Sequence, residues 1–213
     1  MVSTTTILAV LLASGSPAHA ADADSANGNP TASCDVDRER LLSLDEQAFD
    51  QDLSGGWRTI VGIPGCELAA ADLIRDYRDR HASSSGTLLW HEGQLRANAG
   101  QAGEAVPLMR ASRRPEDGDR VGWNHYVDAT VAFLQGDRAA LLAARKRLAA
   151  MKPSPDMTPV ADGFVELALF NGQVTTIPWP MNLDVVDGLV HCFGQDYTLA
   201  YGVGCRTASP VHE

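Results

Sequence analysis

The chain has 213 residues, of which 45% are hydrophobic, and its 27 acidic and 17 basic side chains give a formal net charge of −10. This length is typical of one domain with a substantial core. The acidic balance argues against binding to nucleic acid or anionic lipid, whose phosphates require a basic surface.

The first twenty residues have the features of a secretory signal. An apolar run from Ile7 to Leu12 is followed by small residues and the triplet Ala18-His19-Ala20, a pattern typical of a cleavage site, although no Lys or Arg precedes the run. The run is too short to span a bilayer, which takes about 20 residues. We therefore predict a signal peptide at residues 1–20, no integral membrane segment in the mature chain, and a periplasmic or secreted protein.

Four cysteines, Cys34, Cys66, Cys192 and Cys205, lie in two pairs near the ends of the mature chain. In an oxidising compartment an even number of cysteines indicates disulfides, and four cysteines allow three connectivities. We favour Cys34 with Cys66 and Cys192 with Cys205, because each pair closes a local loop. A zinc site is the alternative, but the chain has no CxxC, so we predict neither a metal nor a cofactor.

The mature chain begins with a polar segment, residues 21–33, which we predict to be a disordered linker. The domain follows at residues 34–206, and residues 207–213 are predicted to be a flexible tail. Within the domain, residues 35–51 fit one or two short helices, residues 57–63 form a short apolar segment, and residues 66–81 have helical periodicity.

The middle of the domain, residues 88–153, predicts two helical hairpins that turn at Gly100 and Gly136. Residues 158–171 are predicted to form a further helix, and the prolines of the next segment require an extended chain. Helices are then expected from Asn182 to about Phe193 and from Asp196 onward. We interpret this end as a helical cap closed by the second disulfide.

Glycines recur along the domain with a regular spacing. Gly65, Gly100, Gly136 and Gly172 are separated by 35, 36 and 36 residues, a period typical of stacked helical hairpins. Small residues, Gly93 and Ala129, stand seven positions before the second and third of these glycines, where two helices must approach closely.

Through these residues, together with Leu89, Glu104, Ala105, Met109 and Pro153, the segment at about residues 54–153 resembles the tetratricopeptide repeat (TPR) family. Leu141 departs from the pattern, because the family usually has Ala there, and the period is slightly longer than the family's 34 residues. The resemblance implies an all-α array of antiparallel hairpins, a TPR-like α-solenoid, that binds proteins or peptides on the concave face of its first helices. The residues expected on that face, and therefore the candidate binding groove, are Trp90, Gln94, Asn98, Trp123, Tyr126 and Thr130.

Aromatic anchors interspersed with amides suit a peptide or a partner helix, but the same aromatic residues also fit an ordinary core. We predict a binding protein, a scaffold or adaptor, whose partner is a protein or peptide in the cell envelope. We expect no nucleic-acid partner, and the sequence does not indicate the oligomeric state. The segment Pro178-Trp179-Pro180 is either an exposed recognition element or a cover for the last helical pair.

Two other functions are compatible with the sequence. The protein could inhibit an envelope toxin or hydrolase, or it could itself be a hydrolase that uses Glu92, His125 and Asp128. The second alternative requires these three side chains to share one cleft. His91-Glu92 is not part of a metalloprotease HExxH motif, because Leu95 replaces the second histidine, and the chain has no GxSxG or phosphate-binding glycine loop. We therefore assign no catalytic residue.

Overall fold

The computed structural model describes residues 33–161, 163–168 and 173–206. The predicted signal peptide, all but the last residue of the predicted linker, the predicted tail and Gly172 lie outside the described residues. In the described part of the chain, no helix is long and apolar enough to cross a membrane.

The described chain is mostly helical. In order, it forms α1 (Arg38–Leu42), a π-helical turn (Gln47–Gln51), α2 (Arg58–Val61), α3 (Glu67–His81), α4 (Gly86–Asn98), α5 (Ala102–Ala111), a 3₁₀ turn (Glu116–Gly118), α6 (Trp123–Leu134), α7 (Arg138–Ala149), β1 (Thr158–Ala161), β2 (Phe164–Ala168), β3 (Val174–Pro178), α8 (Leu183–His191), α9 (Tyr197–Tyr201) and α10 (Val203–Arg206).

The N-terminal helices pack on α3 and are joined to it by the predicted disulfide between Cys34 and Cys66. Phe49 of the π-helical turn is fully buried and stacks on Tyr77 of α3, with ring centroids 3.8 Å apart. Cys66, Leu73 and Ile74 complete one hydrophobic cluster with them. This cluster extends to α4, so the N-terminal segment is part of the domain core.

The two central hairpins form as predicted. Helix α4 packs on α5 and α6 packs on α7, and the turn glycines Gly100 and Gly136 have φ angles of +76° and +70°. At Gly93 of α4, an added Cβ would lie 2.9 Å from the Met109 side chain and 3.3 Å from the Ala105 carbonyl oxygen of α5. The absence of a side chain at Gly93 therefore permits the close approach of α4 and α5.

The predicted helix at residues 158–171 is wrong, and the fold is therefore not all-α. Strands β1, β2 and β3 form a three-stranded antiparallel sheet in that order. Val165 of β2 is 1% exposed and pairs with Ile177 of β3, while Phe164 beside it is 44% exposed. This alternation of burial is typical of a strand with one face on the core and one in solvent.

The C-terminal part consists of α8, α9 and α10, closed by the predicted disulfide between Cys192 and Cys205. Asn182 and Asp196 directly precede α8 and α9, as predicted. Trp179 is half-buried, and its indole Nε1 donates to the carbonyl oxygen of Met151, 3.0 Å away, beyond the end of α7. This hydrogen bond ties the Trp179 indole to the end of α7.

Candidate functional site: a groove along helix α4

One face of α4 lines two cavities. Thr87, His91, Gln94 and Asn98 follow one another at intervals of three or four residues, so they share this face. A cavity of about 530 Å³ opens beside Thr87, and one of about 260 Å³ opens beside Asn98. His91, Gln94 and Tyr201 line both cavities. We call these cavities together the α4 groove.

Aromatic rings form one wall of the larger cavity. The ring centroid of Trp90 lies 4.9 Å from that of Trp123 and 4.8 Å from that of Tyr126, and the Trp123 and Tyr126 centroids are 5.6 Å apart. Trp90 and Tyr126 are only 4% and 2% exposed, whereas Trp123 is partly exposed. Trp123 is therefore the ring most accessible to a ligand, and the other two support it.

Residues 112–115 form part of the rim of the larger cavity. The Asn124 side chain is buried and makes two hydrogen bonds of 2.9 Å to the backbone of Arg114, accepting from its N–H and donating to its carbonyl oxygen. Trp123 Nε1 donates to the Ser112 carbonyl oxygen at 2.9 Å. The Arg114 guanidinium lies 5.3 Å from the Trp123 ring centroid, a cation–π contact. These contacts hold the rim in one conformation.

The larger cavity differs in charge from the rest of the molecule. Its described lining includes His91, Arg113 and Arg114, and no acidic residue. Arg113 forms ion pairs with Asp128 and Glu116, whereas the Arg114 guanidinium has no carboxylate partner in the described part of the chain. The chain as a whole has a net charge of −10, but the lining of this cavity would favour neutral or anionic groups.

The C-terminal segment covers the Asn98 end of the groove. The Thr198 hydroxyl contacts the Asn98 carbonyl oxygen and side-chain oxygen, each at 3.3 Å, and Tyr197 and Tyr201 of α9 line the smaller cavity. Burial raises the pKa of the Tyr197 phenol well above its usual value, and burial does the same for Tyr126. Both phenols are therefore neutral at physiological pH. Helix α9 therefore lies against the Asn98 end of the groove.

A buried acid lies behind the groove. Asp50 of the π-helical turn is 0% exposed, and its Oδ1 accepts hydrogen bonds from Trp57 Nε1 at 2.8 Å and from His91 Nδ1 at 2.7 Å. Its Oδ2 accepts from Gln51 Nε2 at 2.5 Å. Burial acts to raise the pKa of Asp50, but the hydrogen bonds that its carboxylate accepts from His91, Trp57 and Gln51 outweigh burial and lower the pKa below the usual value. Asp50 is therefore ionised at neutral pH.

The three residues of the hydrolase alternative do not share a cleft among the described contacts. Glu92 is buried and binds Arg78 at 2.6 Å and Arg96 at 3.0 Å. His125 and Asp128 line a different cavity of about 410 Å³, and Asp128 pairs with Arg113 and Arg147. The Glu92 oxygens are thus occupied by two guanidinium groups on the α3 side of α4.

The predicted groove residues are only partly brought together. Trp90, Gln94, Trp123 and Tyr126 line the larger cavity, and Asn98 lines the smaller one. Thr130 is fully buried, and its hydroxyl donates to the Tyr126 carbonyl oxygen at 3.0 Å, so its side chain bonds within the helix instead of facing the groove.

Sequence reasoning missed His91, Asp50 and Arg114. The signal for His91 was present, because it shares a helical face with Gln94. Asp50 meets His91 only through packing between residues 41 positions apart, and Arg114 lies in a loop whose position no periodic pattern predicts.

Comparison with known proteins yields no relative: no protein-family model, no curated protein and no solved structure matches this chain. Among the described residues, no group of His, Cys, Asp or Glu has the arrangement of a metal site.

Proposed function

We propose that this protein binds an extended peptide segment of a protein partner in the α4 groove. The observation that carries this proposal is the combination, in the larger cavity, of the partly exposed Trp123 indole, the Gln94 amide and a described lining without acids. An aromatic side chain of the ligand would pack against Trp123, and Gln94 would bond its backbone.

The dimensions of the groove support an extended peptide. Thr87 and Asn98 mark its two ends on α4, and eleven residues of helix rise about 16 Å. An extended chain advances by about 3.3 Å per residue, so the groove accommodates roughly five residues. The larger cavity, at about 530 Å³, is in the size range of pockets that enclose a large side chain.

The wider setting of the proposal is an exported helical-repeat protein. The glycine period of 35 to 36 residues and the two central hairpins support a TPR-like array, with the C-terminal helices as its cap. Two disulfides are typical of a protein that folds in an oxidising compartment, which supports the periplasm or the exterior as its location. We propose that its role is that of a scaffold or adaptor for a cell-envelope protein.

A synthetic array of linear pentapeptides, acetylated and amidated at their ends, tests the proposal. We expect a subset of peptides with an aromatic residue to bind, with dissociation constants that are then measured by calorimetry. Trp123→Ala should weaken binding by about tenfold or more, because an interface anchor is typically worth more than 1 kcal/mol. Gln94→Ala should weaken it by about fivefold, the loss of one neutral hydrogen bond.

Gln135→Ala is the matched control, because Gln135 is an exposed glutamine at the end of α6 that lines another cavity. It should bind the same peptides with wild-type affinity. Thermal unfolding followed by circular dichroism verifies that each variant is folded. If no peptide binds below about 1 mM, or if folded Trp123→Ala and Gln94→Ala both bind like the wild type, the groove is not the binding site.

A further inference from the structure

We propose that Asp50 and His91 form a ligand-binding element of the α4 groove, in which Asp50 fixes the His91 ring so that its Nε2 accepts a hydrogen bond from a backbone N–H of the ligand. This inference rests on the proposed function. It assigns a ligand contact to His91 and a positioning role to Asp50, 41 positions away in the chain.

The state of the His91 ring follows from the surroundings of Asp50. An ionised carboxylate only accepts hydrogen bonds, and Asp50 is fully buried with donors on both oxygens. The nitrogen that meets it at 2.7 Å, His91 Nδ1, must therefore carry a proton. In the neutral ring the second nitrogen then has a lone pair and no proton, so Nε2 is an acceptor.

The position of the ring makes that acceptor available. The His91 side chain is 18% exposed and lines both cavities, at their junction with Gln94 and Tyr201. Its Nε2 has no hydrogen-bond partner among the described residues. The charged and titratable groups around it are Asp50 itself, Arg58 above Trp57, Arg113 and Arg114 across the larger cavity, and Tyr197 and Tyr201 of α9.

A second polar atom at the same site also lacks a partner. The Tyr197 hydroxyl is buried, lines the smaller cavity and has no hydrogen bond within the described chain. The Gln94 amide is near enough to influence the pKa of this phenol, but the two groups do not meet in hydrogen-bonding geometry. Buried polar atoms are nearly always satisfied, so a polar group of a ligand would find a hydrogen-bond partner at this end of the groove.

An acceptor at His91 Nε2 favours ligands that present a hydrogen-bond donor to it. A peptide with an N–H at this position gains a hydrogen bond, whereas the same peptide methylated at that nitrogen leaves a desolvated acceptor without a donor. We therefore expect the groove to prefer an unmodified peptide backbone and to discriminate against one backbone N-methyl group in particular.

An N-methyl scan of a pentapeptide selected on the wild-type protein tests this inference. Methylation at one position should weaken wild-type binding by about tenfold, and the same methylation should weaken binding to His91→Phe by less than about threefold. Asp50→Asn should reduce the discrimination as well, because an amide no longer dictates which ring nitrogen carries the proton. His125→Phe, on another cavity, should reproduce the wild-type scan.

The outcomes separate this inference from the proposed function. If peptides bind but no N-methyl position depends on His91, the inference is wrong and the peptide groove stands. If no pentapeptide binds at all, both are wrong. Nitrogen-15 NMR of the free protein is an independent measurement. A His91 ring with a proton on Nε2, whether neutral or protonated on both nitrogens, would contradict the assignment even if peptides bind.

Discussion

At the scale of single residues, the most consequential correction concerns Glu92. The hydrolase alternative groups it with His125 and Asp128, yet its side chain is 3% exposed and is held by Arg78 and Arg96. Arg96 also bonds Asp72 at 3.1 Å, so a network of charges joins α3 to α4. The buried carboxylate is therefore a structural element in the described contacts.

Glu92→Gln should lower the free energy of unfolding by about 3–5 kcal/mol, because Arg78 loses its carboxylate partner and the poorly solvated Arg96 keeps only the half-exposed Asp72. Urea denaturation followed by circular dichroism measures the change. Asp72→Asn is the matched control in the same network: its side chain is 44% exposed, so its loss should cost less than about 1 kcal/mol. Equal effects of the two substitutions would show that the buried network does not hold α3 on α4.

The aromatic wall of the groove was predictable from the sequence, but the buried Asp50 behind it was not. Trp90, Trp123 and Tyr126 stand at helical positions whose face can be inferred from periodicity. Asp50 and His91 come together only because the π-helical turn packs on α3 and α4. No local pattern encodes that contact, so it could not be predicted from one sequence.

At the scale of elements, the contact of α4 with α5 depends on Gly93. The space beside it is filled by Met109 and the Ala105 carbonyl oxygen. Gly103 of α5 is the opposite case, because an added Cβ would meet no atom within 4 Å. The two glycines lie in neighbouring helices of one hairpin. A substitution at Gly93 therefore tests the steric cost of a side chain, whereas one at Gly103 tests helix propensity alone.

Gly93→Val should destabilise the protein by about 1–3 kcal/mol, because the branched side chain forces apart a closely packed helix pair. Gly103→Ala should stabilise it by roughly 0.5–1 kcal/mol, since alanine favours the helix and has room. Thermal and urea unfolding of both variants measure these changes. A Gly93→Val protein as stable as the wild type would mean that α4 and α5 do not require a small residue at their contact.

The helices were predictable because their periodicity and turn glycines agree. The sheet was not, because Val160, Phe164 and Val165 also fit an amphipathic helix. Asp162-Gly163, a pair typical of tight hairpins, was the overlooked indication, and Gly163 has a φ angle of +76°. Pairing with β3, which lies further along the chain, then favours a strand over a helix at β2.

At the scale of the whole molecule, the groove forms where three parts of the chain meet. Trp57 comes from the N-terminal helices, the polar face comes from α4, and Tyr197 and Tyr201 come from the C-terminal segment. The disulfides Cys34–Cys66 and Cys192–Cys205 close local loops in the two outer parts. Both pairings were predictable from spacing, but the meeting of the terminal parts at one groove was not, because it depends on tertiary packing.

The four tryptophans provide the most direct test of the central claim, that ligands occupy the α4 groove. Trp57, Trp90 and Trp123 line its cavities, whereas the Trp179 indole bonds to Met151. When a selected pentapeptide is added to nitrogen-15-labelled protein, the indole signals of Trp57, Trp90 and Trp123 should shift and that of Trp179 should not. A shift of the Trp179 signal alone, with the other three unchanged, would contradict the account.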